Sequence, residues 1–202
     1  LSLVGSEMCI RDRLNTFKVG PGKGLAVFGS GAVGLSAIMA GHLSGAYPLI
    51  AVDIKEGRLE LALELGATHA FNAKAGNVAG RIRGIAPRGV DFSFETSSDV
   101  HAFKDAVDCL CMGGVCGFVA SPGNGREFPF APGALLLRGA SLRGIILGSA
   151  MPNTFLPKII DLNRRGRFPY DRIIRTYEFT DINKAFEDSK SGEAIKPVLK
   201  MS

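Results

Sequence analysis

Six residues, Gly29-Ser30-Gly31-Ala32-Val33-Gly34, and a carboxylate, Asp53, placed 19 positions beyond the last of them, are where this 202-residue sequence could do chemistry. The six fit G-x-G-x-x-G. That pattern is weak alone, but here it closes an apolar run, LAVFG (25–29), and opens a helical stretch, and Asp53 ends the next apolar run; those conditions make it specific. Gly29 permits a tight turn, Gly31 carries no side chain to hold the backbone off a pyrophosphate, and Gly34 lets the helix pack closely on the strand. The helix then aims its free N–H groups and positive dipole end at the phosphates. Asp53 can accept both hydroxyls of an adenosine ribose, whereas a 2′-phosphate would meet like charge there. NAD is therefore expected over NADP, with Lys55 and Arg58 as nearby cations weighing the other way. A glycine turn that binds nothing, or one serving FAD or S-adenosylmethionine, are the alternatives.

Two further segments belong beside this turn. Glu95-Thr96-Ser97 follows the fourth apolar run and Ala120-Ser121-Pro122 the fifth. Ligands of open parallel sheets lie outside the carboxyl ends of the strands, so both loops should border one crevice, although a Thr-Ser pair also serves as a helix cap. The remaining reactive residue types suggest no other chemistry. His42, His69 and His101 have no carboxylate or Ser at motif spacing, so surface or packing roles are expected and neither a triad nor a glycosidase-like carboxylate pair is read. Cys9, Cys109, Cys111 and Cys116 lack the spacing of a zinc knuckle or a C-x-x-C redox pair and read as buried free thiols of a reducing compartment. No secretory signal pattern is visible, and a cytoplasmic protein is expected.

The elements that must position these residues follow from periodicity. Runs at 25–29, 48–53, 68–72, 90–95, 113–120 and 140–148 read as strands. Helical stretches lie at 32–44, 55–65 and from Ser98 or Asp99 to 111, with Gly66 where a helix C-cap needs positive φ. The segment SPGNGREFPFAPGA (121–134) is expected to be irregular. Strands alternating with helices predict an α/β fold, a doubly wound parallel six-stranded sheet of Rossmann type with two mononucleotide-binding halves. Beyond 150 the rhythm changes to a helix at 154–165, a strand at 173–179, a helix at 181–189 and a strand at 196–201. This C-terminal α+β segment is placed outside the nucleotide domain, because parallel strands would need crossover helices of adequate length.

Composition agrees with a folded globule. The chain is 46% apolar and 21% charged, which excludes disorder, and it has no apolar run long enough to span a bilayer. Twenty-four Lys and Arg against nineteen Asp and Glu leave a net charge of +5 scattered along the chain. The densest basic group, Arg164, Arg165 and Arg167, is too short for a polyanion stripe, so neither nucleic acid nor membrane is an expected partner. Residues 1–13 (LSLVGSEMCIRDR) show no amphipathic period or cap and resemble a translated adapter string, so they are expected to be a non-native leader on a fragment.

Taken together, VFGSGAVGLSAIMAG, AVDIKEGRLELALELGATHAFN, VDFSFETSS, LRGIILGSAMPNTFLPKIIDLNRRGRFPYDRIIRTYEF and SGEAIKPVLKM resemble the second half of a zinc-dependent, medium-chain alcohol dehydrogenase, from about Leu14 to the C-terminus. RGRFPYDRIIR is most similar to the branch acting on aryl and allylic alcohols. The resemblance implies a dinucleotide domain over 14–150 and, over 151–202, the portion that returns to complete a catalytic domain. The GHE-type motif and the cluster of four cysteines are missing from this chain, so the resemblance places the zinc ligands upstream and assigns no residue here to the metal or to proton relay. It implies cofactor contacts at Gly29, Gly31, Val33, Gly34, Asp53 and Arg58, nicotinamide contacts at Val119, Ile145 and Leu147, and a phosphate contact at Lys196. Lys196 stands where some relatives carry Arg, and an amine lacks the bidentate fork. Thr96 joins this set from the loop after the fourth strand.

The implied reaction transfers hydride between an alcohol, as alkoxide on zinc, and NAD, with an alcohol or aldehyde as small-molecule partner. The isolated chain is then expected to bind NAD weakly without turnover. A homodimer or homotetramer is expected, since the apolar strand around Ile145 to Leu147 lies at a sheet edge. Two other classes remain: a zinc-free enone or quinone reductase of the same superfamily, and a non-catalytic nucleotide-binding protein. The upstream reading frame discriminates among them.

Overall fold

The first strand, β1 (Leu25–Phe28), has all four residues buried, as a continuous apolar run covered on both faces requires. The computed structural model describes residues 18–119, 127, 132–145 and 152–201. Helix α1 (Ala32–Leu43) follows β1 and is apolar all round, with Gly34 to Gly41 buried without a break, which makes it a core helix. Then come β2 (Leu49–Asp53), α2 (Glu56–Glu64), β3 (His69–Asn72), α3 (Val78–Ile85) and β4 (Val90–Glu95). The chain continues through α4 (Val100–Asp108), β5 (Leu110–Phe118), α5 (Pro132–Arg138) and β6 (Ser141–Gly144).

These six strands form one sheet in the order β3-β2-β1-β4-β5-β6, and every pair is parallel. The chain runs outward from β1 in one half, then crosses back to β4 and runs outward the other way. One apolar cluster, including Leu25, Val27, Leu35, Ile38, Leu59, Phe94 and Phe155, fills one face. A second, including Phe28, Ile50, Ile82, Phe103 and Val107, fills the other. The doubly wound α/β sheet expected from the sequence is the observed one, and its topological switch point lies between the carboxyl ends of β1 and β4, where Gly29 and Thr96 leave the sheet.

Several boundaries differ. Helix α3 was not anticipated. The fourth helix is capped by Asp99, whose Oδ1 accepts from the amides of His101 and Ala102, each at 2.9 Å, but it ends at Asp108, and β5 begins at Leu110 instead of 113. The stretch expected to be irregular ends in α5, with Pro132 at the first helical position where its missing N–H costs nothing. Of the sixth strand expected over 140–148, residues 141–144 are strand, and 146–148 lie outside the described residues. Gly66 does adopt positive φ, at 109°.

In the tail, α6 (Pro152–Arg164) packs Phe155 and Ile159 into the first core face. Strands β7 (Ile174–Glu178) and β8 (Lys196–Lys200) form a separate two-stranded sheet. They pair in parallel with each other and add no strand to the six-stranded sheet. The ten residues of α7 (Ile182–Ser191) suffice for the crossover, and Tyr177, Ala185 and Ala194 form its small core. Among the described residues no helix is long and apolar enough to cross a membrane.

Candidate functional site

Just past β1 the backbone of Gly29 turns with φ 90°, a conformation that favours glycine. A Cβ there would stand 2.6 Å from the Thr96 hydroxyl. That hydroxyl lies 3.0 Å from the Phe28 carbonyl and 2.9 Å from the Gly29 carbonyl and donates to them, tying the ends of β1 and β4 together. Gly34 is needed for a different reason, because its Cβ would overlap the Gly29 carbonyl oxygen. At Gly31 a Cβ would meet nothing within 4 Å, so this glycine faces open space. It is also the N-cap of α1, with no side-chain cap bond and no acidic residue in the first turn; the positive helix end is left facing that space.

Asp53, at the end of β2, is 8% exposed and is held by three backbone amides. Its Oδ2 accepts from Ser30 at 2.6 Å, and its Oδ1 accepts from Ile54 at 2.8 Å and Lys55 at 2.9 Å. A carboxylate offers about four acceptor sites. One site, on Oδ2, is therefore open for a hydroxyl, and a second hydroxyl would find no acceptor site of its own. Arg58 Nη1 stands 3.9 Å from Asp53 Oδ2, and Arg58 Nε is buried with no hydrogen-bond partner.

A cavity of 630 Å³ opens here, bounded by Gly29, Gly31, Asp53, Arg58 and Thr96 and floored by Phe28 and Val52. Five of the residues expected from the sequence thus share one space. The other described ones, Val33, Gly34, Val119, Ile145 and Lys196, are not among the residues that line it. Val33 is half-buried in the first turn of α1, and Gly34 is the buried contact behind the turn. Val119 and Ile145 follow the carboxyl ends of β5 and β6, where their amides donate to Glu95 O at 3.2 Å and Phe118 O at 2.9 Å. Lys196 begins β8 in the second sheet. Leu147 lies outside the described residues.

Reasoning from sequence missed the far wall of the cavity. Lys74, Asp99, His101 and Asp105 line it, and His101, expected to have only a surface or packing role, is among them. Their arrival depends on α3 and α4 packing side by side, which no local pattern announces. Burial pushes the Asp105 carboxyl above its ordinary range, against the Ala79 amide and the nearby Lys104. Glu95, the last residue of β4, is fully buried, and burial raises its pKa, opposed by hydrogen bonds from Ser97 and the neighbouring Ser98 amide.

The cysteines behave as structural residues. Cys109 and Cys116 are buried and free, while Cys111 is half-buried instead of buried; Cys9 lies outside the described residues. Burial pushes the Cys116 thiol up to about 12 and the Cys109 thiol well above its usual value. Among the described residues no group of three or more His, Cys, Asp or Glu is arranged to hold a metal ion, so the residues in place do not fit a zinc centre. A dinucleotide does fit: a bare glycine facing open space, an uncapped helix end and a buried carboxylate meet at one cavity.

Comparison with known proteins points the same way. Residues 32–163 match the family model described as zinc-binding dehydrogenase. The geraniol dehydrogenase of Castellaniella defragrans is 38% identical over 187 residues, 92% of this chain and 50% of that protein. Among solved structures, an alcohol dehydrogenase zinc-binding domain protein from Burkholderia ambifaria superposes with a TM-score of 0.95 at 40% identity, covering 100% of this chain and 56% of that one. The benzyl alcohol dehydrogenase of Acinetobacter calcoaceticus gives 0.94 at 38% identity, covering 98% and 55%. The chain spans about half the length of the curated relatives it matches.

Proposed function

Because this chain belongs to the zinc-binding dehydrogenase family, we propose that it is the NAD-binding portion of an alcohol dehydrogenase that exchanges hydride between an alcohol and NAD. The observation that carries the reading is the Asp53 carboxylate, buried at the cavity and bonded to the Ser30 amide of the glycine turn at 2.6 Å. It makes the ribose acceptor and the pyrophosphate turn one hydrogen-bonded unit. NAD, when bound, supplies the hydride acceptor; the residues of this chain bind and orient it.

In this reading the first turn of α1 and the open face of Gly31 hold the pyrophosphate, with Val33 and Gly34 fixing the helix against the strand. Asp53 accepts a ribose hydroxyl beside Arg58. Thr96, Val119, Ile145 and Leu147 border the nicotinamide end, and Lys196 supplies charge to a phosphate. The dinucleotide domain is proposed to run over 14–150 and the returning segment over 151–202. No step is routed through zinc, since the described residues offer no ligand set.

The substrate class proposed is an alcohol, or the aldehyde made from it, of the aryl or allylic kind. Support comes from the names of the geraniol and benzyl alcohol dehydrogenases among its relatives and from the RGRFPYDRIIR segment. The free buried thiols support a reducing, cytoplasmic setting. A homodimer is proposed through β6, an edge strand whose outer backbone groups can pair with a second copy.

Calorimetric titration of NAD into the purified chain tests the reading. Binding should be measurable in the wild type and at least about tenfold weaker in Asp53→Ala, the loss expected for a hydrogen bond to a charged group. No binding, or equal binding by both, would overturn it.

A further inference from the structure

The last turn of α7 reaches back to the adenosine end of the cavity. Lys55, two residues past Asp53, donates from its ammonium to the Ser191 carbonyl, 136 residues away in sequence. Gly192, the next residue, takes the left-handed conformation with φ 79°. A Cβ added there would collide with Lys55 Nζ and stand 2.7 Å from Arg58 Nη2. The two cations closest to Asp53 in sequence are therefore both seated against one turn of the tail.

Position alone would favour a different use for those cations. In glycine-turn folds an acidic residue at the end of the second strand selects a free ribose, and a neighbouring basic side chain accommodates a 2′-phosphate. This chain carries both kinds of residue at the same corner, so selectivity depends on where the cations are held. Lys55 is committed to a helix C-terminus, whose partial negative charge and unpaired carbonyls favour an ammonium. Arg58 is placed between Gly192 and Asp53, 3.9 Å from the carboxylate.

We propose that the Ser191–Gly192 turn is a coenzyme-selectivity element: by seating the Lys55 ammonium on its carbonyl it withholds that cation from a 2′-phosphate, and so favours NAD over NADP. Glycine at 192 serves two ends, the left-handed cap and the clearance that lets the Lys55 ammonium reach the carbonyl. The inference rests on the dinucleotide-binding reading above. A turn that merely docked α7 would change stability on substitution and leave the ratio of the two affinities alone.

The test is the NADP-to-NAD affinity ratio of the purified chain, by calorimetric titration with each dinucleotide. The wild type should prefer NAD. Lys55→Met should keep the ratio within about twofold, the scale of an exposed charge that contacts no ligand. Gly192→Ala should displace the ammonium and raise relative NADP affinity by about tenfold, a charge-assisted bond to the 2′-phosphate, and Lys55→Met in that background should abolish the gain. An unchanged ratio in a folded Gly192→Ala would overturn the proposal. So would a loss of relative NADP affinity of more than about fivefold in Lys55→Met, and this second arm decides the matter if Gly192→Ala does not fold. If the wild type binds neither dinucleotide, it is the underlying reading that fails.

Discussion

Glu95 accepts twice from Ser97 through a single oxygen: its Oε1 takes the Ser97 amide at 2.6 Å and the Ser97 hydroxyl as well, while Oε2 is buried without a hydrogen bond. Ser97 in turn packs 3.2 Å from where a Cβ of Gly29 would lie. A fully buried carboxyl that is not among the cavity's lining residues thus holds Ser97, which is, behind the glycine turn.

This has a consequence for pH. Burial raises the Glu95 carboxyl above its ordinary value of 4.5, and the Ser97 bonds offset that only in part. A carboxyl whose folded value exceeds its unfolded one leaves the native state binding more protons, so its contribution is fully present below the unfolded value and is lost as pH rises through the folded one. Thermal melts of wild type and Glu95→Gln should show the wild type losing ground relative to the variant as pH rises above the ordinary carboxyl value of 4.5. A melting-temperature difference that stays constant as pH rises would contradict this account.

Two glycines of the turn should separate folding from binding. Gly31→Ala places a methyl in open space at φ −78°, so stability should stay within about 0.5 kcal/mol, while NAD affinity falls because the methyl stands where the pyrophosphate must approach. Gly34→Ala collides with the Gly29 carbonyl and should cost about 3 kcal/mol or more, as overpacking against backbone does. Denaturant melts paired with titration would check both. Equal effects of the two substitutions on stability would refute the assignment.

What the sequence made legible, and what it did not, divides along local and tertiary lines. Strands β1, β2 and β4, the glycine turn, Asp53 and the Asp99 cap are local patterns, and each stands where the pattern put it. Helix α3 escaped because VAGRIRGI is eight residues with two glycines and owes its stability to packing Val78 and Ile82 into the second core face. The start of β5 falls earlier than the sequence suggests because the helical pattern before it reads on to 111, whereas the helix ends at Asp108. The strand runs through Gly113 and Gly114 with Gly113 at φ 71° and a register shift against β4 between Val90 and Phe92, which is how a bulge hides inside a strand. His101, Asp105 and the Lys55–Ser191 contact needed the fold itself, since their partners lie on other elements.

The thiols should react in an order set by burial. Cys111 is half-buried and its thiol is raised only in part by burial, with Asp91 nearby, whereas Cys116 is pushed up to about 12 and Cys109 is fully buried. Reaction with iodoacetamide at about pH 9, where an ordinary thiol is largely ionised, followed by peptide mass analysis, should label Cys111 first among the three described thiols. Cys109 and Cys116 should be labelled only as the chain unfolds. Early labelling of Cys116 in the native chain would show that the sheet face above it is open.

The edge of the sheet offers the last test. Among the described residues strand β6 pairs with β5 on one side alone, and the helix leading into it presents Leu136 and Leu137 at 82% and 80% exposure. Unpaired strand backbone beside exposed leucines is what a two-fold partner copy would cover, and pairing β6 with its copy across a two-fold axis would run the two strands antiparallel and join the sheets. Sedimentation at about 10 µM, a concentration that populates dimers of micromolar affinity, should give twice the 21.4 kDa chain mass. Leu136→Glu with Leu137→Glu should return the chain mass without lowering the melting temperature, because neither leucine is buried within the monomer. A wild-type chain that sediments as a monomer at that concentration would remove β6 as the contact.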